Sequence, residues 1–157
     1  MDVPLTDEGF AQAVAVAAAL AGRPVAAIWS SDQVRAVQTA EALAQACGIP
    51  VRTTEALREQ GLGRLEGLSY DDLTEEPVPD GLHLSEVRWG GGESVRDVYE
   101  RLVRFVEDLP ASDGEVVLVS HGDTLRTLLA VLAGRDHRSV EWLEFGNGEV
   151  RTVELAR

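Results

Sequence analysis

Four branched apolar residues in a row, Val116 to Val119, run directly into Ser120-His121-Gly122. Strict alternation would mark a strand with one wet face. A continuous branched run marks a strand buried on both faces, as in parallel sheets with helices above and below. The residues that follow, Leu125, Leu128, Leu129 and Leu132, recur at helical spacing and stop at Gly134. A buried strand that turns through glycine into an amphipathic helix is an α/β unit, and few other folds accommodate it.

The rest of the chain repeats the pattern. Thr6 is placed to cap a helix with Phe10, Ala13, Val14, Ala17 and Leu20 as its apolar positions and Gly22 as its end. Val25 to Trp29 is a second buried strand, emptying into Ser30-Ser31. Asp32 is expected to cap the next helix, which carries Ala36, Ala40, Leu43 and Cys47 on one face and ends at Gly48. Val51 to Thr54 reads as a further strand. The stretch from Glu59 to Gly92, broken by Pro77, Pro79, Asp80-Gly81 and three consecutive glycines, is expected to cover a site. Ser94 then caps a helix bearing Val95, Val98, Leu102, Phe105 and Leu109. Finally, Glu141 to Phe145 and Val150 to Leu155, joined by Asn147-Gly148, are expected to pair as a β-hairpin. The fold class is therefore α/β, a three-layer αβα sandwich with a mostly parallel central sheet. The 157 residues suffice for one domain.

Composition narrows the partners. A net charge of −13 argues against nucleic acid, whose phosphates need clustered cations. All 14 basic residues are arginine, so neither Schiff-base nor P-loop lysine chemistry is open to the chain. No apolar run is long enough to span a bilayer, and MDVPLTDEG lacks the features of a signal peptide. A lone cysteine, Cys47, excludes an intrachain disulfide, fits a cytoplasmic setting and is expected to be a small core residue.

Three positions stand out chemically. His121 sits at the end of the buried strand, beside Gly122 and a helix start, where open α/β sheets collect ligands and helix N-termini collect anions. Arg35 lies in the first turn of the helix after Ser30-Ser31, a poor place for a cation unless an anion is near, and its planar fork suits two phosphate oxygens. Glu59 precedes the glycine-spaced loop Gly61-x-Gly63-x-x-x-Gly67, where a carboxyl group with a raised pKa could act as general acid and then base. Glu66 is the weaker candidate for that role. His83, within the cover, and His137, expected in solvent, are read as non-catalytic.

Taken together, SSDQVRAVQTA (Ser30 to Ala40), LREQGLGRLEG (Leu57 to Gly67) and VVLVSHG (Val116 to Gly122) resemble the phosphate pocket of the histidine phosphatase superfamily, the phosphoglycerate-mutase-like proteins. MDVPLTDEG resembles the DxPLTxxG segment those proteins carry before their first helix. The resemblance implies phosphomonoester hydrolysis through a phosphohistidine, with a small phosphorylated substrate or inorganic phosphate as ligand. His121 would stabilise the transferring group, Arg35, Gly122 and Ser30 would contact phosphate, and Glu59 would handle the leaving-group proton. Neither a metal nor another cofactor is called for. The short loop after Glu59 resembles the broad phosphatase branch more than the true mutases, leaving phosphoglycerate mutase as the alternative.

One element of the family pattern does not occur in the 157 residues: the Arg-His-Gly that ends a first strand and supplies the nucleophile. The resemblance thus implies that a central strand is missing, that the sheet keeps an open edge, and that this polypeptide turns over little or no substrate. His121 is not expected to substitute, because it would vacate its own role and lack partners to orient it. Three accounts follow: a chain whose true start lies upstream of Met1, a non-catalytic module that binds phosphate or phosphoesters, and a homodimer joined through an exposed strand edge.

Overall fold

The computed structural model describes residues 3–69, 72 and 77–155. Three parallel strands, β1 (Val25–Ser31), β2 (Val51–Thr54) and β3 (Glu115–Val119), form a sheet in the order β2-β1-β3. Alternate residues of β1 and β3 serve opposite faces, as the two-residue period of a strand requires. Ile28, Val117 and Val119 meet α1 (Asp7–Leu20) and α2 (Val34–Cys47) through Ala17, Leu20, Ala40 and Leu43. Trp29 and Leu118 face the other way, toward α3 (Val95–Glu107) and α4 (Gly122–Leu132), where Leu57, Val98, Leu102 and Leu128 complete a second core. Helices on both faces of a parallel sheet make the three-layer arrangement. None of the helices among the described residues is long and apolar enough to cross a membrane.

The helix boundaries follow local chemistry. Thr6 caps α1 by accepting a hydrogen bond from the Gly9 amide, and Ser94 and Asp97 form a reciprocal capping box at the start of α3. Gly48 closes α2 at a left-handed φ of 69°. Asp32 does not cap α2, contrary to expectation. Gln33 occupies that position without a side-chain capping bond, while the Asp32 carboxylate accepts two bonds from the Arg58 guanidinium at 2.7 and 2.6 Å. Two charge-assisted bonds to a guanidinium fork outweigh the single bond of a carboxylate cap. On α1 the buried stripe is Ala13, Ala17 and Leu20. Phe10 and Val14 face outward, 43% and 61% exposed, so two of the five predicted apolar positions lie at the surface. Cys47 is partly buried against the first core, as a small apolar side chain would be.

At the far side of the sheet the expected open edge is present, whereas the full burial of the strand and the hairpin need correction. β3 is an edge strand: among the described residues it pairs with β1 alone, and all five of its residues are only partly buried. Its branched composition is that of an interior strand placed at an edge. The C-terminal hairpin forms its turn but not its ladder. Gly148 adopts a φ of 71° and the Glu149 amide donates to the Gly146 carbonyl, yet neither arm is a strand. A two-stranded ribbon is marginal without a sheet to join. Here its polar groups go elsewhere, the Leu143 carbonyl to the Arg126 guanidinium and the Gly146 amide to the Glu149 carboxylate, while Gly148 backs onto Gln12 and Val16 of α1.

Candidate functional site

Parallel strands bring their carboxyl ends to one side, so Ser30-Ser31 after β1, the segment after β2 and Ser120-His121 after β3 converge. His121 is 7% exposed, and its Nε2 lies 3.0 Å from the Ser31 hydroxyl. That hydroxyl also accepts the Gln33 amide at 3.2 Å, so the direction of its bond to the ring follows the protonation of the imidazole. Ser30, named with the phosphate ligands, is fully buried and donates its hydroxyl to the Ser31 carbonyl at 2.8 Å. Of the two serines, Ser31 is the one that reaches His121.

Arg35 and Glu59 meet through Gln33, whose amide oxygen accepts from the Arg35 guanidinium at 3.4 Å and from the Glu59 backbone amide at 3.3 Å. Burial raises the pKa of the Glu59 carboxyl, and the charge of Asp123 raises it further. The Gln60 amide, Arg35 and the Thr124 amide in the first turn of α4 oppose the shift. The balance favours a carboxyl that keeps its proton to a higher pH than an ordinary glutamate. Asp32 is held the other way: the Arg58 guanidinium keeps its carboxyl below the usual range, against some desolvation, with a smaller contribution from His121.

The chain leading to Glu59 is fastened to the His121 turn. Ser120 donates its hydroxyl to the Leu57 carbonyl at 2.7 Å, and Thr124 donates to the Arg58 carbonyl at 2.7 Å. These two residues lie on either side of His121-Gly122, so the imidazole turn and the start of α4 are tied to the carboxyl-bearing loop. Gly122 opens α4 with open space around its Cα, where a side chain would otherwise project.

The structure therefore brings together His121, Gly122, Arg35 and Glu59. It also adds Ser31, Gln33, Asp123 and Thr124, which the sequence reading passed over. Each lies within two positions of a residue already singled out, and a polar side chain at a strand-to-helix junction was the available signal. Glu66 is exposed. His83 and His137 meet each other rather than the site, with both Nδ1 atoms on the buried Ser85 hydroxyl at 2.7 and 2.8 Å. His137, expected in solvent, is half-buried and packs edge-on against Tyr99. A cleft of about 690 Å³ opens between β2 and α3, beside Trp29. Its arginines, Arg58, Arg101 and Arg104, are matched by Glu55, Glu93 and Asp108, so it has no excess of positive charge for an anion.

With this geometry in place, the likenesses to other proteins are informative. The sequence profile described as "Histidine phosphatase superfamily (branch 1)" matches residues 1–157. A glucosyl-3-phosphoglycerate phosphatase of Mycolicibacterium vanbaalenii is 38% identical over 148 residues, which cover 85% of this chain and 65% of that protein. The chain thus spans just under two thirds of the length of that relative. A Yersinia pestis (strain Pestoides F) protein named "Probable phosphoglycerate mutase GpmB" is 33% identical, with 98% of this chain and 74% of that one covered. Among solved structures, a mycobacterial glucosyl-3-phosphoglycerate phosphatase complexed with VO3 superposes with a TM-score of 0.79 at 32% identity, covering 94% of this chain and 77% of that one. The same phosphatase with inorganic phosphate gives 0.71, with 88% and 73% covered. The chain belongs to the histidine phosphatase superfamily.

Proposed function

We propose that residues 1–157 carry the phosphate-holding and proton-transfer parts of a phosphomonoesterase site, and that this polypeptide binds phosphate without sustained turnover. The observation that carries the reading is the joining of Arg35 and Glu59 through Gln33, at the same strand ends where His121 meets Ser31. A planar cation, an imidazole and the backbone amides at the start of α4 would bind the phosphoryl oxygens and stabilise charge on them. Ser30 contributes through the fixed backbone of Ser30-Ser31 rather than through its committed hydroxyl. Glu59, holding its proton, would protonate the leaving alkoxide and then take a proton from water. The attack on phosphorus belongs to the family's Arg-His-Gly histidine, and no such triplet occurs in these residues. His121 remains the stabiliser and not the nucleophile.

Hydrolysis is favoured over a mutase reaction by the short loop after Glu59, and the residues act as one domain. Both named relatives carry phosphoglycerate in their names, so a phosphoglycerate ester is the first organic ligand to try. The test is titration of the 157-residue chain with inorganic phosphate by calorimetry, alongside a phosphatase assay. Saturable phosphate binding with no turnover is expected. Turnover that vanishes in both His121→Ala and Glu59→Ala would sink the claim of inactivity, and absence of phosphate binding would sink the site.

One observation supports an additional mode of association. β3 lies at the sheet edge with an uncharged run from Val116 to Val119, and uncharged edges invite strand pairing. A homodimer through paired β3 edges is the form this would take.

A further inference from the structure

The loop that carries Glu59 is held from a second side, by residues absent from the site as described so far. Arg101, from the middle of α3, is only 15% exposed. Its guanidinium donates to the carbonyls of Ala56 and Arg58, the latter at 2.7 Å, with the Glu59 carbonyl at 3.5 Å. With Ser120 on Leu57 and Thr124 on Arg58, four successive carbonyls, 56 to 59, are bonded to side chains from two different helices and a strand end. Glu93 holds Arg101 in turn, with Oε1 2.9 Å from Nε and Oε2 3.3 Å from the terminal nitrogen. The same Oε2 accepts the Gly61 amide at 2.9 Å, the Glu93 amide returns a bond to the Gly61 carbonyl at 2.6 Å, and the Gln60 side chain donates to the Glu93 carbonyl at 2.8 Å.

Glycine makes that approach possible. A Cβ on Gly92 would lie 2.1 Å from the Gly61 carbonyl oxygen, and one on Gly63 would lie 2.4 Å from that of Gly90. The segments 61–63 and 90–92 are pressed backbone to backbone, one residue beyond Glu59 and immediately before Glu93.

We propose that Arg101, locked by Glu93, is a positioning residue for Glu59: α3 sets the depth of the Glu59 carboxyl in the pocket. A surface ion pair would have no reason to spend its donors on three backbone carbonyls at the approach to one carboxyl. This inference rests on the reading of Glu59 as the group that exchanges a proton with the substrate. The clamp keeps that carboxyl half-buried, and its burial is what raises its pKa.

The experiment reads the carboxyl itself, by carbon-13 NMR titration of Glu59 in the full 157-residue chain, for wild type, Arg101→Lys and Arg101→Met. Loss of a nearby cation acting only through its charge would raise the Glu59 midpoint. Release of the loop into water does the opposite. The proposal expects the midpoint to fall toward that of an exposed glutamate in Arg101→Met. It also expects a fall in Arg101→Lys, which keeps the charge and loses the fork. An unchanged or raised midpoint in Arg101→Lys overturns it. Amide hydrogen exchange in wild type keeps the test decisive if a variant fails to fold. The Gly61 and Glu93 amides should exchange slowly and together, and a freely exchanging Gly61 amide overturns the clamp. Titration of wild type with inorganic phosphate separates the two claims. If phosphate fails to bind while the midpoint falls as expected, the site reading fails and the positioning stands.

Discussion

Glu59 combines burial, a neighbouring acid and amide donors, and its protonation is where the site couples to stability. Folding raises the affinity of this carboxyl for its proton. The folded state therefore has its full advantage while the group is protonated in both states. It loses that advantage as the pH climbs from the unfolded glutamate value through the higher folded one. Glu59→Gln has no charge to desolvate. It should melt above wild type at pH 8, with the gap closing toward pH of about 3, below the unfolded glutamate value, where both states of wild type are protonated; thermal denaturation across pH measures this. Arg35 makes the opposite kind of contribution. Charge-assisted hydrogen bonds contribute about 1.5–3 kcal/mol, so Arg35→Ala should weaken phosphate binding about ten- to a hundredfold in calorimetry. Ser30→Ala, by contrast, should be felt in stability more than in affinity, since its hydroxyl bonds inside the protein.

At the level of elements, the caps and the glycine crossing make separable contributions. Loss of the Ser94 cap in Ser94→Ala should cost about 1 kcal/mol. Leu102→Ala empties a fully buried position between α3 and the sheet and should cost about 2–5 kcal/mol. Gly92→Ala drives a methyl group into the Gly61 carbonyl. Its signature should be faster exchange at the Gly61 and Glu93 amides, with α1 and α2 unaffected. These elements differ in how far the sequence announces them. The Thr6 and Ser94 caps, the αL Gly48 and the strand-to-helix turn at His121 are encoded within a few residues, and all are legible. Asp32 looked like a cap because nothing local reveals that Arg58, 26 positions away, will claim both its oxygens. Phe10 and Val14 have helical spacing, yet which part of an apolar stripe is covered depends on what packs there. The tail failed for the same reason: Asn147-Gly148 specifies a turn, whereas a ladder needs a sheet to extend. The role of Arg101 was invisible because the loop groups it holds are backbone carbonyls, which carry no sequence signature.

For the molecule as a whole, an uncharged strand edge and a strongly acidic surface pull in opposite directions. Pairing through β3 would bring two chains of net charge −13 together. Association should therefore strengthen as salt screens the repulsion. Sedimentation velocity at low and high ionic strength checks this, and a monomer at every salt concentration would leave the edge unused. The two ends of the fold also differ in the surroundings of their indoles. Trp29 lies edge-on to Phe105 at 5.7 Å, and its Nε1 is buried with no acceptor among the described residues, whereas Trp142 is 72% exposed beside the Arg126 guanidinium. An excited indole without water or a hydrogen-bond acceptor emits toward the blue, and a hydrated one emits toward the red. Of the three tryptophans in the chain, Trp29 in the sheet and Trp142 on the tail should thus emit at different colours. Iodide should quench the red component first, and loosening of the sheet should appear as a later shift of the blue one.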